Sequence, residues 1–98
     1  MSRAVLIPDS RVSLARHARL RFDGLRGRWM LLVPEKVMTP DDICVEILQL
    51  CDGQASIASI AATLEAKYVA PPGVIAREVL DLLQDLSDRG FLTDRQVA

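Results

Sequence analysis

The side chains of this chain most suited to nucleophilic or metal chemistry are two cysteines and one histidine. Cys44 and Cys51 stand seven residues apart, which is two turns along one face of a helix. The sequence has no CxxC pair and only His17 to add to these thiols, so a zinc site would lack ligands. We therefore predict no metal site and no cofactor. Both cysteines are interpreted as small buried hydrophobes in a reducing compartment.

Other catalytic patterns are also missing from the sequence. It contains no Ser/His/Asp or Cys/His set, no glycine-rich phosphate loop and no carboxylate pair beside a base. Asp81, Asp85 and Asp88 recur at helical spacing and are interpreted as a solvated helix face. The sequence therefore predicts a protein that is not an enzyme.

The length and composition predict one small domain. Ninety-eight residues, half of them apolar and about a quarter charged, suffice for one modest core. No apolar run approaches the ~18 residues of a membrane span, and Pro8 and Asp9 break the first apolar stretch too early for a signal peptide. We expect a cytoplasmic protein without membrane contact. Its charge is divided, with a net +5 over residues 1–34 and a net −6 over residues 35–98.

The first third of the chain predicts a small antiparallel sheet. Residues 1–15 show no sustained period and are expected to form a flexible N-terminal arm. "HARLRFD" alternates as a half-buried strand with Leu20 and Phe22 on its buried face, and "DGLRG" is typical of a hairpin turn. "RWMLLVP" predicts a central strand that Pro34 ends, and "EKVM" a short edge strand protected by Lys36.

Two helices are predicted to follow. Thr39 as the cap and Pro40 at the first helical position begin a helix that runs to Cys51. Its apolar stripe is predicted to contain Ile43, Ile47 and Leu50. In "LCDGQAS", a left-handed Gly53 ends this helix, and Ser56 caps the next, which reaches Tyr68 before "VAPPG" breaks the chain.

The third and longest predicted helix is "GVIAREVLDLLQDLSDR". Gly90 is expected to cap it in the left-handed conformation, with Phe91 folding back onto the last turn. Residues 16–93 are predicted to form the single domain, and residues 94–98 a frayed tail. The element order predicts an α+β fold in which a three-stranded antiparallel sheet is followed by a three-helix bundle, in a winged-helix-like arrangement.

A helix pair joined by a short turn is also the core of helix-turn-helix DNA readers, so a nucleic-acid-binding regulator is the alternative function. The recognition helix of such proteins brings positive charge to the phosphates. Here the second helix offers only Lys67, and the third has a net charge of −2. The charges therefore favour a function without nucleic acid.

The third helix has more apolar positions than it needs to dock on a core. The commoner interpretation is that every leucine of the helix is core. An edge strand over residues 36–39 could instead border a groove beside this helix, where an extended peptide adds to the strand by backbone hydrogen bonds. A subunit that docks permanently on a larger protein remains a third possibility.

Several of these segments together resemble the PqqD family, which serves in biosynthesis of the redox cofactor pyrroloquinoline quinone. The segments are "RLRFD", "LLVPEKV", "ILQLCDG", "SIASIAATLEAKY" and the final "RGFL", so that the likeness runs from Arg11 to Leu92. The resemblance implies a peptide chaperone, a stand-alone recognition element for ribosomally made and modified peptides. Such a protein binds the precursor peptide PqqA and presents it to the radical-SAM enzyme PqqE.

The resemblance also implies where the peptide binds. In similar recognition domains the peptide lies along the third strand and against the third helix. Carried onto this sequence, the strand edge is Lys36, Val37, Met38 and Thr39, and the facing helix positions are Ile75, Arg77, Val79, Leu82, Leu83 and Leu86. Arg77 would meet a carboxylate. Pro40 departs from the family pattern and has no N–H, so the usable edge is predicted to end at Thr39. A monomer and a strand-exchanged dimer are both compatible with the sequence.

Overall fold

Six short strands and three helices make up the part of the chain that the structure describes. The computed structural model describes residues 5–34 and 36–94. The elements in chain order are β1 (Arg11–Leu14), β2 (Arg19–Asp23), β3 (Arg28–Val33), β4 (Lys36–Met38), α1 (Asp42–Leu50), β5 (Asp52–Ser56), α2 (Ile57–Glu65), α3 (Val74–Asp88) and β6 (Leu92–Asp94). The strands form two antiparallel sheets, ordered β2–β3–β4 and β5–β1–β6.

The β2–β3–β4 sheet confirms the predicted hairpin and edge strand. Phe22 lies opposite Trp29, and Leu32 lies opposite Val37. The hairpin turn is held by Asp23, whose Oδ1 accepts hydrogen bonds from the main-chain N–H groups of the two residues at its centre, Leu25 and Arg26. Short polar side chains of this kind stabilise turns by bonding to the backbone two residues on. Phe22, predicted on the buried face, is 54% exposed and packs edge-on against Trp29.

The β5–β1–β6 sheet was not predicted, and it corrects the flexible arm expected over residues 1–15. Residues 11–14 form the central strand β1, which pairs with β5 on one side and with β6 on the other. Val12 is fully buried, because it faces the core from the middle of this sheet. Asp94, expected to begin a frayed tail, lies opposite Val12 in β6. Residues 1–4 and 95–98 lie outside the described residues.

The first two helices are shorter than predicted. α1 begins at Asp42, because Asp41 and not Thr39 is its cap and accepts a hydrogen bond from Cys44 N at 2.8 Å. Ser56 caps α2 as predicted. Gly53 has the predicted positive φ of 81°, but it lies within strand β5. A strand that pairs with β1 therefore replaces the tight turn of a helix-turn-helix.

The end of α3 confirms the prediction for Gly90 and Phe91. Gly90 has a φ of 86°, and its N–H and that of Phe91 donate hydrogen bonds to the main-chain oxygens of Ser87 and Leu86. These two bonds form a Schellman motif, which satisfies the last carbonyl groups of the helix. Phe91 is fully buried, so the same motif fixes an aromatic ring in the core and turns the chain into β6.

One hydrophobic core joins both sheets to all three helices. Cys44 and Cys51 are buried free thiols within it, as predicted. Its largest fully buried side chains include Phe91, Leu31, Ile57, Ile60, Leu83 and Leu86. None of the described helices is long and apolar enough to cross a membrane. The α+β class is confirmed, while the winged-helix likeness stays a prediction.

Candidate functional site

Strand β4 is one of the two edge strands of the β2–β3–β4 sheet. Its three residues pair with β3 on one side only, and Val37 at its centre is 65% exposed. Met38 is half-buried and packs against the core, which fixes the position of the strand. Thr39, the fourth predicted edge residue, is exposed and lies just beyond the strand. Three of the four predicted edge positions are therefore in place in an edge strand.

Strand β4 contacts the C-terminal end of α3 through a side chain. At its start, Lys36 Nζ donates a hydrogen bond to the main-chain oxygen of Arg89, at the C-terminal end of α3. Beyond its end, the chain continues to Asp41 and Ile43, which line a groove together with Ile75 and Leu82 of α3. We call the surface between Lys36–Met38 of β4 and Ile75 and Leu82 of α3 the β4–α3 cleft. The start of the predicted strand and the end of the predicted helix are thus in contact.

The predicted positions on α3 fall into two groups. Val79, Leu83 and Leu86 are 2% exposed or less, because they form the stripe that docks the helix on the core. These three side chains are buried in the protein, although Val79 also lines the groove described below, and their role in peptide binding stays a prediction. The remaining predicted positions have accessible surface: Ile75 and Leu82 are half-buried and Arg77 is exposed.

A groove of about 440 Å³ opens between α1, the segment after α2 and the N-terminal half of α3. Its volume lies within the ~300–1,000 Å³ typical of ligand pockets. The lining is mainly apolar, and Asp41 and Glu78 are its only charged members among the described residues. Its other lining residues are Ile43, Cys44, Ile47, Leu64, Tyr68, Val69, Ala70, Ile75, Val79 and Leu82. The groove suits an apolar side chain, and its carboxylates favour a nearby positive charge.

A polar cluster fixes one wall of this groove. Glu46 on α1 accepts hydrogen bonds from Lys67 Nζ at 2.6 Å and from Tyr68 Oη at 2.7 Å. These two bonds hold the pKa of the Glu46 carboxyl below its usual range, and the bond from Lys67 has the larger effect. The same contacts raise the pKa of Lys67 and of Tyr68. Because Tyr68 lines the groove, the cluster ties the groove wall to α1.

Sequence reasoning missed the groove residues Ile43, Tyr68 and Val69. Ile43 was placed on the core stripe of the first helix, but it is 53% exposed and faces the groove. Val69 is fully exposed, and only Ala70 separates it from Pro71 and Pro72, which follow in the segment after α2. An apolar residue beside a chain break is a weak signal, since single exposed hydrophobes are common on protein surfaces.

This fold and cleft define a class, that of small α+β domains that leave an edge strand and an apolar groove open beside their last helix. Residues 28–92 match the family described as coenzyme PQQ synthesis protein D (PqqD). The chain belongs to this family.

The chain is similar over most of its length to a curated relative and to two solved structures. It is 58% identical over 86 residues to the PqqA binding protein of Rhodopseudomonas palustris strain HaA2, covering 88% of this chain and 84% of that protein. One solved structure is the solution structure of the PqqD part of Methylobacterium extorquens PqqCD, a recognition element for ribosomally synthesised and modified peptides. It superposes with a TM-score of 0.73 at 35% sequence identity, and the match covers 90% of this chain and 94% of that chain. The crystal structure of PqqD from Xanthomonas campestris superposes with a TM-score of 0.52 at 38% sequence identity, and the match covers 79% of this chain and 86% of that chain.

Proposed function

We propose that this protein captures the precursor peptide PqqA and presents it to the radical-SAM enzyme PqqE, without catalysing a reaction itself. The family membership places the chain in the synthesis of pyrroloquinoline quinone. The name of the Rhodopseudomonas palustris relative supports PqqA as the peptide. Two buried free thiols suit a reducing compartment, and we propose that the protein acts in the cytoplasm.

The observation that carries the proposal is the edge strand β4, whose first residue contacts the end of α3. An extended peptide can add to such an edge as a further strand, and main-chain hydrogen bonds then supply an attraction that any sequence can make. Successive side chains of the added strand point to opposite faces of the sheet. We expect one set to enter the β4–α3 cleft and to contact Leu82 and Ile75.

We expect the groove to distinguish one peptide sequence from another. It is lined by Asp41 and Ile43, which follow β4 in the chain, so we expect a peptide leaving the strand edge to meet the apolar surface of Ile43, Ile75 and Leu82. Full burial of one large aliphatic side chain contributes about 1.5–3 kcal/mol. One or two such anchors are enough to distinguish peptides, since every 1.4 kcal/mol changes affinity about tenfold. Asp41 and Glu78 favour a basic residue next to the anchor, and Arg77 an acidic one.

Titrating isotopically labelled protein with synthetic PqqA and following the amide signals tests this function. We expect the largest shifts at Lys36–Met38 and along the exposed side of α3, including Ile75 and Leu82. A scrambled PqqA of the same composition is the matched control and should produce smaller shifts. Shifts confined to the β5–β1–β6 sheet, or equal shifts with both peptides, would contradict the proposed site.

Presentation to the enzyme needs a separate measurement. Crosslinking of PqqA by PqqE is followed by mass spectrometry, with and without this protein. We expect the yield to rise with the protein up to an equimolar amount and then level off, as for a stoichiometric carrier. A yield that does not depend on the protein would contradict presentation, while leaving peptide capture to be judged by the titration.

A further inference from the structure

The outer face of the β2–β3–β4 sheet carries a second surface, which the proposed function does not use. Side chains of directly opposite residues share one face of a sheet. Leu20 and Leu31 are such a pair, and Leu31 is fully buried, so their face is turned to the core. The alternate residues lie on the opposite face. We call this surface the arginine face and define it by Arg19, Arg21, Arg28, Met30, Leu32 and Val37.

The arginines of this face are exposed and lack carboxylate partners within the described residues. Asp23 lies directly opposite Arg28, but its carboxylate is engaged at the hairpin turn. One oxygen accepts the N–H groups of Leu25 and Arg26, and the other lies 3.8 Å from the guanidinium of Arg26. Arg19 donates only to main-chain oxygens near its own position. The face therefore presents positive charge that nothing described in the chain neutralises.

An apolar stripe crosses the same face. Leu32 and Val37 lie opposite each other, and Met30 follows two residues before Leu32 along β3. Met30 and Leu32 are half-buried and Val37 is largely exposed. The open face of an antiparallel sheet is normally polar. Apolar residues together with methionine and arginine are instead typical of protein interfaces. A nucleic acid backbone would need the charges but would gain little from the stripe.

The arginine face is continuous with the strand edge that takes up the peptide. A strand added to β4 sends one set of side chains into the β4–α3 cleft and the other set onto the arginine face, beside Val37. A partner seated on this face would thus contact both the protein and the captured peptide.

We propose that the arginine face docks a carboxylate-rich surface of a partner protein, and that the bound peptide completes the docking surface. The proposal rests on the proposed function, in which this partner is the enzyme that modifies the peptide. The inference identifies the arginine face as the place where the enzyme binds. It also explains why the enzyme would prefer the protein with the peptide bound over the protein alone.

The test measures the affinity of PqqE for the full chain, alone and saturated with PqqA, by calorimetry at low and high salt. Arg21→Glu and Arg28→Glu each reverse one charge on the face. The matched control is Gln49→Glu with Ala62→Glu, which changes the net charge equally on exposed positions of α1 and α2. We expect each arginine variant to weaken enzyme binding about tenfold at low salt and less at high salt. The control should change it less than about twofold.

The peptide affinity of each variant separates this inference from the proposed function. We expect PqqA binding to the arginine variants within about twofold of wild type, because their side chains lie outside the cleft. Unchanged enzyme binding by both variants would overturn the inference and leave peptide capture standing. Equal enzyme affinity for the free and loaded forms would overturn the role of the peptide. Loss of duplex DNA binding in the variants, with enzyme binding intact, would assign the face to nucleic acid and overturn the proposal.

Discussion

The amine of Lys36 donates a hydrogen bond of 3.2 Å to the main-chain oxygen of Arg89, which joins the first residue of β4 to the end of α3. The last carbonyl groups of a helix carry partial negative charge, so a cation is favoured there. This contact spans the β4–α3 cleft at one end, and the groove lies at the other.

Replacing Lys36 by Met should therefore lower the free energy of unfolding by about 0.5 kcal/mol, because the favourable interaction with the helix end is lost. Urea denaturation measures this change. Arg77→Met is the control, since Arg77 lies in the first turn of the same helix, where a cation is unfavourable. We expect no loss of stability from Arg77→Met; an equal loss from both substitutions would show that the helix-end contact is not the cause.

Ile43 is predicted to anchor the peptide in the groove. Ile43→Ser should weaken PqqA binding about tenfold, because roughly half of an isoleucine side chain would become buried on binding. The stability of the free protein should change little, since Ile43 is already 53% exposed. Leu25→Ser removes a fully exposed aliphatic side chain from the hairpin turn and is the matched control. If Leu25→Ser weakened binding as much as Ile43→Ser, the groove would not be the anchor site.

The pKa of the Glu46 carboxyl should depend on the hydrogen bonds that it accepts from Lys67 and Tyr68. Lys67→Gln and Tyr68→Phe each remove a hydrogen bond that stabilises the carboxylate, so each should raise the pKa of Glu46, with Lys67→Gln having the larger effect. Carboxyl carbon signals followed against pH measure these shifts. In the wild type the stabilisation from this cluster is fully present above the ordinary pKa of glutamate. It is lost as the pH falls through the lowered pKa of Glu46, because the carboxylate becomes protonated.

Asp52 serves as the internal reference in the same titration. Its pKa is lowered by main-chain N–H groups of Ala55 and Gln54, which the two substitutions leave in place. An equal movement of the Asp52 and Glu46 signals would point to a general structural change and would contradict the local explanation.

The buried thiols predict a loss of stability at high pH. Burial raises the pKa of Cys44 from 9.0 to about 11 and that of Cys51 to about 12. Above pH 9 the unfolded chain therefore loses these protons before the folded protein does, and the free energy of unfolding falls as the pH rises toward 12. Denaturation at a series of pH values measures the slope. The Cys44→Ala/Cys51→Ala variant should have a flatter slope, even if it is less stable; an unchanged slope would exclude the thiols as its source.

The left-handed cap of α3 predicts a cost for any side chain at Gly90. Gly90→Ala should lower the free energy of unfolding by about 1–2 kcal/mol from backbone strain alone. No atom lies within 4 Å of the added carbon, so steric contact does not contribute. Gly24→Ala, in equally open space but without a positive φ, is the control and should be neutral or slightly stabilising. Equal losses at both positions would contradict the role of the left-handed backbone.

The features that the sequence predicted correctly depend on neighbours along the chain. The hairpin of β2 and β3 is indicated by alternating residues on both sides of a glycine-containing turn. The α3 terminus is indicated by Gly90 followed by an apolar Phe91. Both signals lie within a few residues of the structure that they specify, so the pattern alone was sufficient.

The β5–β1–β6 sheet could not be predicted, because its partners are far apart in the chain. Val12 pairs with Asp94 across the length of the domain, and Ser13 pairs with Asp52 and Thr93. The segment "DGQAS" of β5 contains residues that are depleted in strands, and it forms a strand because β1 lies beside it. Tertiary contact here outweighs local preference.

The candidate site was predicted in its elements and not in its side chains. The edge strand and the facing helix follow from the element order and the family resemblance. Which stripe of α3 is accessible depends on how the helix is rotated on the core, and a rotation by one residue leaves the apolar pattern nearly unchanged. Val79 and Leu82 illustrate the point, since they are three residues apart and only Leu82 keeps accessible surface.

The pairing of β1 with β6 brings the first and last strands of the described residues together, on a sheet separate from the one that holds β4. We therefore expect a purification tag, a fluorescent reporter or a whole second enzyme attached before β1 or after β6 to leave the strand edge accessible. The molecule is in this respect suited to genetic fusion: the points of attachment and the proposed peptide edge belong to different sheets.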